Sequence, residues 1–115
     1  MVKTTIYHNP KCSKSRATLE LLTQRVPDAV VVEYLKTPPT VAELTALVAK
    51  LGIEPVALVR KGEEVYKQHY AGKTLSAEQW IGAMVRHPIL IERPIVVVGN
   101  RAVLGRPPEN IEKLF

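Results

Sequence analysis

The chain has one cysteine, Cys12, in a basic stretch that follows a short apolar segment. Lys11, Lys14 and Arg16 stand within five residues of it, and their charges favour the ionised form of a thiol. The thiolate is the nucleophilic form of cysteine, so these neighbours predict a reactive thiol rather than a small buried apolar side chain. A metal centre is not expected, because His8 alone lies close enough in sequence to act as a second ligand.

The residues around Cys12 predict a strand that turns into a helix. The apolar and β-branched residues that begin at Thr4 favour a strand, Pro10 ends it, and a helix begins at Cys12 or Ser13. Such a turn directs several backbone N–H groups at one spot, where an anion can bind. The residues predicted to form this anion-binding loop are Ser13, Lys14, Ser15 and Arg16.

A single cysteine also limits the redox chemistry. Ser15 stands where the second cysteine of a C-x-x-C motif would be, so this chain cannot form an internal disulfide. An oxidised Cys12 must therefore be resolved by a thiol from another molecule. One cysteine fits a reducing compartment, and the first residues lack the apolar run of a secretory signal, so we expect a cytoplasmic protein.

The composition predicts one globular domain over residues 1–115, with 46% hydrophobic and 23% charged residues. No apolar run approaches the length of a membrane span, so no membrane partner is expected. The net charge of +5 is compatible with nucleic-acid binding, but the cations are scattered. One Phe and one Trp offer few surfaces for base stacking, so we expect no nucleic-acid partner.

The elements that must position Cys12 begin with a β-α-β unit. A helix over residues 13–24 is predicted to bury Ala17, Leu21 and Leu22. The β-branched residues 29–34 then predict a second strand, which we expect to be buried and parallel to the first.

Residues 40–87 predict a helical insertion after that unit. Thr40 and Glu43 form a capping box, apolar residues follow at helical spacing, and Gly52 ends this helix. Shorter helices are predicted over residues 54–60, over residues 63–68 and from a second cap at Ser76. Trp80 falls at the spacing of a core residue, and for His69 and His87 a structural role is favoured.

A hairpin and a last helix complete the predicted α/β fold. Residues 94–98 and 101–104 are two strands joined by Gly99-Asn100, and a helix carrying Ile111 and Leu114 follows. The order is therefore β-α-β, helical insertion, β-β-α.

Candidate anion ligands are Arg60, Arg93 and Arg106, each at a predicted element boundary. A guanidinium group carries a permanent charge and a planar fork that suits oxyanions. Arg93 precedes Pro94, and such bonds are occasionally cis, although sequence does not fix the isomer. His8 could orient or ionise the thiol, or could serve only as a turn residue.

These motifs resemble the ArsC-type, glutaredoxin-linked arsenate reductases, in the ArsC/Spx branch of the thioredoxin-like folds. The resemblance spans nearly the whole chain and is carried by residues 7–16, 34–39, 58–61, 87–95 and 105–109. It implies a thioredoxin-like fold, with a four-stranded mixed sheet, helices on its faces and a helical insertion between strands 2 and 3.

The same resemblance implies that the chain reduces arsenate to arsenite with no bound cofactor. We also expect a monomer that holds no metal. Glutathione is the implied co-substrate, and glutaredoxin is the implied protein partner. The roles that it assigns are Cys12 as nucleophile, Arg60, Arg93 and Arg106 as oxyanion ligands, His8 as an aid to thiol activation, and Pro94 as a cis-proline. Many members of the family have Gly-Thr after the cysteine, where this chain has Ser13-Lys14.

Two other functions are compatible with the sequence. A regulator resembling Spx would bind RNA polymerase through the same fold, although such regulators commonly carry the C-x-x-C switch that Ser15 removes. A thiol-transfer oxidoreductase acting on another substrate, such as a glutathionylated protein, would use the same Cys12.

Overall fold

The structure, a computed structural model, describes residues 3–115. The chain divides into two compact units. The first, here called the sheet unit, is formed by Met1–Thr37 and Arg93–Phe115, and the second, the helical unit, is Pro38–Glu92.

The sheet unit contains a four-stranded mixed sheet, as predicted. Its strands are β1 (Thr4–His8), β2 (Val30–Glu33), β3 (Ile95–Val98) and β4 (Arg101–Leu104), in the spatial order β2-β1-β3-β4. β1 is parallel to β2 and antiparallel to β3, and β3 and β4 form the hairpin predicted from Gly99-Asn100. β1 therefore lies inside the sheet, and its carboxyl end leads directly into the loop that carries Cys12.

The helix after that loop, α1 (Ser13–Arg25), buries Leu22 as predicted, but the rest of its buried face differs from the prediction. Ser15, Thr18 and Leu22 are buried, whereas Ala17 is exposed and Leu21 is half-buried. The prediction selected apolar side chains, but hydroxyl groups can be buried when they find hydrogen-bond partners. Ser15 and Thr18 both have such partners, which belong to the candidate site described below.

The strand β2 is correct in position and direction, but the prediction that it is buried was wrong. Val30 and Val31 are 40% and 45% exposed. β2 lies at the edge of the sheet and pairs with β1 on one side only, so a β-branched run here does not indicate a central strand.

The core of the sheet unit lies between the sheet and the elements packed on one of its faces. Ile6 and Val96 are partners across β1 and β3, and they pack with Leu22 of α1. Ile111 and Leu114 complete this cluster. They belong to Pro108–Leu114, which is a 3-10 helix rather than an α-helix. A 3-10 helix has three residues per turn, so side chains three positions apart both face the core.

The helical unit contains three α-helices, and its capping boxes are as predicted. They are α2 (Val41–Leu51), α3 (Glu64–His69) and α4 (Ala77–Arg86). Thr40 caps α2 with Glu43, Ser76 caps α4 with Gln79, and Gly52 ends α2 at a φ of 69°.

The helical unit also contains two 3-10 helices. The segment predicted as a helix over residues 54–60 is a short 3-10 helix, Pro55–Leu58. A second one, Pro88–Leu90, was not predicted, because the predicted insertion ends at residue 87, although proline is tolerated in the first turn of a helix.

Trp80 is part of the core of the helical unit, as predicted. It is 5% exposed and stacks on Tyr66 with ring centroids 6.2 Å apart. Tyr70 packs against Trp80, and the rings of His69 and His87 stack on each other at 6.2 Å. Both histidines thus take part in aromatic packing, which fits the structural role that was predicted for them. Across residues 3–115, no helix has the length and apolar character needed to cross a membrane.

Candidate active site

Asn9 organises the loop that holds Cys12. It is 4% exposed, its carbonyl oxygen accepts the Cys12 N–H at 3.0 Å, and its Oδ1 accepts the Lys11 N–H at 3.0 Å. The Arg16 guanidinium donates to the carbonyl oxygen of Pro10 at 2.9 Å and ties the loop to α1. Sequence reasoning did not single out Asn9, although Asn-Pro is a turn signal because the Asn side chain can bond a backbone two residues on.

Cys12 is the N-cap residue of α1 and is partly exposed, so its sulfur lies where the backbone N–H groups of the first helical turn converge. Burial raises the pKa of the thiol. The N–H of Ser15, the hydrogen bond and charge of the Arg93 guanidinium, and the N–H of Lys14 outweigh burial and bring the pKa below its ordinary value. The geometry therefore favours the thiolate, which is the nucleophile.

Ser15 is completely buried, and its side chain faces the inside of the loop rather than solvent. Its Oγ accepts the Asn9 N–H at 3.0 Å and lies 2.6 Å from Nδ1 of His8. Within the predicted anion-binding loop, Ser15 thus contributes its backbone N–H to Cys12, while its hydroxyl ties the start of α1 to Asn9 and His8. The other three residues, Ser13, Lys14 and Arg16, are exposed.

His8, at the end of β1, lies against Ser15. The ring is 5% exposed, and this burial lowers its pKa. The charge of Glu33 raises the pKa and the charge of Arg16 lowers it, so the net effect is a decrease. His8 Nδ1 and Ser15 Oγ share a hydrogen bond, and the tautomer of His8 decides which of them donates, because the hydroxyl oxygen has lone pairs for both the Asn9 N–H and an imidazole N–H. The groups that shift the pKa of Cys12 do not include His8. Thiol activation by His8 therefore stays a prediction, and the contact that the structure gives is to Ser15.

Arg93 and Arg106 lie together in the sheet unit. Arg93 is 8% exposed, its guanidinium bonds to the Cys12 sulfur, and its carbonyl oxygen accepts from Arg106 Nη1 at 3.3 Å. The Arg93–Pro94 peptide bond is cis, the isomer that the resemblance implies, and the Arg106–Pro107 bond is also cis. The second cis bond was not predicted, because Pro107 entered the sequence analysis only as part of the motif over residues 105–109.

Gly105 allows the Arg106 segment to approach α1 closely. Its carbonyl oxygen accepts the Thr18 hydroxyl at 2.7 Å, and its N–H donates to the carbonyl oxygen of Pro94 at 2.9 Å. A Cβ at this position would stand 2.5 Å from Thr18 Cγ2 and 3.0 Å from Pro94 Cγ. Sequence reasoning did not single out Thr18, and it used Gly105 only as part of the motif over residues 105–109.

Arg60 belongs to the helical unit, where two carboxylates hold its guanidinium. Nη1 lies 2.7 Å from Glu92 Oε1 and Nε lies 3.2 Å from Glu63 Oε2. Burial lowers the pKa of Arg60, but its bonds to Glu63 and Glu92 outweigh burial and raise it. A role for Arg60 in binding an oxyanion stays a prediction. In the described part of the chain, residues 3–115, no group of three His, Cys, Asp or Glu side chains could hold a metal ion.

Comparison with known proteins places this arrangement in a family. The sequence profile of the ArsC family matches residues 7–114. The chain belongs to the ArsC family. This ArsC-family chain is 49% identical over 110 residues to an arsenate reductase of Yersinia enterocolitica, covering 95% of the chain and 78% of that relative. It is 43% identical over 112 residues to an arsenate reductase of Neisseria meningitidis serogroup A, covering 96% of each.

The fold comparison agrees with the family. The ArsC-family chain superposes on the structure of an arsenate reductase from Vibrio cholerae with a TM-score of 0.94 and 46% identity, over 99% of this chain and 98% of that one. The predicted thioredoxin-like fold is thereby confirmed.

Proposed function

We propose that this chain is an arsenate reductase in which Cys12 is the nucleophile and glutathione and glutaredoxin supply the electrons. The observation that carries the proposal is the Cys12 sulfur at the N-terminus of α1 with the Arg93 guanidinium beside it. A thiolate next to a guanidinium suits attack on an anion, because the cation offsets the repulsion between two negative species. The naming of relatives at 43% to 49% identity as arsenate reductases supports arsenate as that anion.

In the first step the Cys12 thiolate attacks the arsenic atom of arsenate. A sulfur–arsenic bond forms, an arsenic–oxygen bond breaks, and the oxygen leaves as water after taking up protons. Charge on the remaining oxygens would be stabilised by Arg93 and Arg106 and by the N–H groups of Lys14 and Ser15. Such preorganised donors are commonly the largest contribution to catalysis.

Reduction then needs two thiols from outside the chain, because Cys12 has no cysteine partner here. The glutathione thiol displaces a second oxygen as water and forms a second sulfur–arsenic bond. A glutaredoxin thiolate attacks the glutathione sulfur, so the two thiols become one disulfide and the electron pair of that bond stays on arsenic. Arsenic(V) becomes arsenic(III), and hydrolysis of the bond to Cys12 releases arsenite. Thiols supply both electrons, so this cycle uses no bound cofactor and suits a reducing, cytoplasmic setting.

Arg60 enters this proposal as the third oxyanion ligand, on the strength of the resemblance. Glu63 and Glu92 hold its guanidinium, so arsenate would compete with two carboxylates for it. Arg93 and Arg106 are the arginines whose positions in the sheet unit support the proposal directly.

The proposal is tested with purified protein, arsenate, glutathione, glutathione reductase and glutaredoxin, by following NADPH oxidation. We expect arsenate-dependent oxidation with the wild type and none above background with Cys12→Ser. Equal rates for the two proteins would overturn the proposal. Reduction of a glutathionylated protein by the wild type, with no response to arsenate, would instead identify a thiol-transfer enzyme.

A further inference from the structure

We propose that a cavity beside the Cys12 loop is the binding site of the glutathione co-substrate; this inference rests on the proposed function. The loop cavity, as it is called below, has a volume of about 230 Å³. One wall comes from the end of β1 and the loop after it, and the other from the end of β2 and the residues that follow. The lining residues on which the argument depends are His8, Pro10, Lys11, Glu33, Leu35 and Lys36.

The position of the loop cavity suits a molecule that must meet the Cys12 adduct. Lys11 lines it and directly precedes Cys12, so an occupant would lie beside the nucleophile's own loop. Its volume lies below the ~300 Å³ at which ligand pockets usually begin, so it would hold part of a larger molecule, but it is larger than one tetrahedral anion needs. A second, larger substrate is the occupant that this size favours.

The charges around the loop cavity match a small peptide with ionised ends. Lys11 and Lys36 offer two cations, and Glu33 offers a carboxylate 3.3 Å from the Lys36 Nζ. Glutathione carries two carboxylates and one ammonium group, which these three side chains complement. Pro10 and Leu35 supply apolar surface for the middle of the peptide.

His8 adds a fixed ring to the same wall. Its Nδ1 lies 2.6 Å from the Ser15 hydroxyl, which fixes the ring and leaves Nε2 as the nitrogen for another partner. A buried ring nitrogen at a cavity wall can form a hydrogen bond with a peptide ligand and orient it. His8 would in this way act on the co-substrate as well as on Ser15.

Binding can be measured without turnover by using S-methylglutathione, which has no free thiol. Titrated into ¹⁵N-labelled wild-type protein at millimolar concentrations, it should shift the amide signals of Lys11, Glu33 and Lys36 to saturation. Lys36→Glu should weaken this binding about tenfold, because it reverses a charge that faces a carboxylate. The Lys36 side chain is 79% exposed, so the substitution should not affect folding. Lys113→Glu makes the same charge change on the exposed surface of the C-terminal 3-10 helix and should leave binding unchanged.

Turnover provides the second measurement, with glutaredoxin in excess. Lys36→Glu should raise the glutathione concentration for half-maximal rate about tenfold and leave that for arsenate unchanged, whereas Lys113→Glu should match the wild type in both. If the wild type reduces arsenate but Lys36→Glu keeps the wild-type glutathione dependence, the inference is overturned and the proposed function stands. If the wild type does not reduce arsenate, the proposed function fails, and the titration alone decides on the cavity. Shifts confined to other residues, or no shifts, would overturn the inference in either case.

Discussion

The guanidinium of Arg93 bonds to the sulfur of Cys12, and the register of two strands brings these distant residues together. Tyr7 of β1 pairs with Ile95 of β3 in antiparallel register. Because the two strands are antiparallel, the segment after Tyr7 runs alongside the segment before Ile95. This places the Cys12 loop next to Arg93. The sheet thus delivers a buried cation to the thiol without any local sequence signal.

Replacing Arg93 by Gln should lower kcat/KM for arsenate by about 10²-fold or more, which is the usual cost of removing one donor to a developing charge. The measurement is the coupled NADPH assay at several arsenate concentrations. Arg86→Gln is the matched control, since Arg86 is exposed in the last turn of α4, and it should keep the wild-type value. Similar losses in the two variants would show that total charge, not the position of Arg93, is what matters.

Replacing Ser15 by Ala should lower the free energy of unfolding by about 1–3 kcal/mol, because it leaves the Asn9 N–H and His8 Nδ1 without their buried partner. Urea denaturation measures this as a lower midpoint. Ser13→Ala is the control, because Ser13 is exposed, and it should change stability by less than about 0.5 kcal/mol. If the two variants are equally stable, the hydroxyl of Ser15 does not hold the loop.

Replacing Gly105 by Ala should destabilise the fold by about 1–3 kcal/mol, because the added Cβ would overlap Thr18 and crowd Pro94. Gly62→Ala is the matched control, since no heavy atom lies within 4 Å of a Cβ at that position. Thermal or urea unfolding of both variants makes the comparison. A stable Gly105→Ala variant with normal activity would show that the Arg106 segment does not need this close approach.

Local sequence signals predicted the elements that depend on neighbouring residues. The capping boxes at Thr40 and Ser76 and the turn at Gly99-Asn100 each act within a few positions, and all three are present. Burial was less predictable, because it depends on what packs against an element. β2 has the composition of a central strand and lies at an edge, and α1 buries Ser15 and Thr18 in preference to Ala17.

The candidate site was also predictable only in part, because some of its contacts are local in sequence and others join distant segments. Cys12 and its basic neighbours are visible locally, since one cysteine at the start of a helix suffices. The bond from Arg93 depends on the pairing of β1 with β3, and the contact of Thr18 with Gly105 joins segments far apart in the chain. No periodicity or spacing in the sequence reports such contacts.

His8 should make the stability of the protein depend on pH. Burial holds its pKa in the folded state below that in the unfolded state, about 6.5. The stability that comes from neutral His8 is therefore fully present above about pH 6.5, and it is lost as the pH falls towards the lower folded pKa, because the unfolded chain takes up the proton first. Urea midpoints at about pH 7.5 and about pH 5.5 should show this decline in the wild type.

The His8→Asn variant should show a smaller decline in the urea midpoint between these pH values. The His69→Asn variant, which alters an exposed histidine, should show the wild-type decline. An equal decline in all three proteins would contradict this role.

The central claim, that the loop and Arg93 make Cys12 a thiolate nucleophile, is tested most directly by the pH dependence of iodoacetamide alkylation. Cys12 is the only cysteine, so the rate reports this thiol alone. The account predicts a midpoint below the ~8.5 of a free thiol in the wild type and a higher midpoint in Arg93→Gln. A wild-type midpoint at or above that of a free thiol would contradict it.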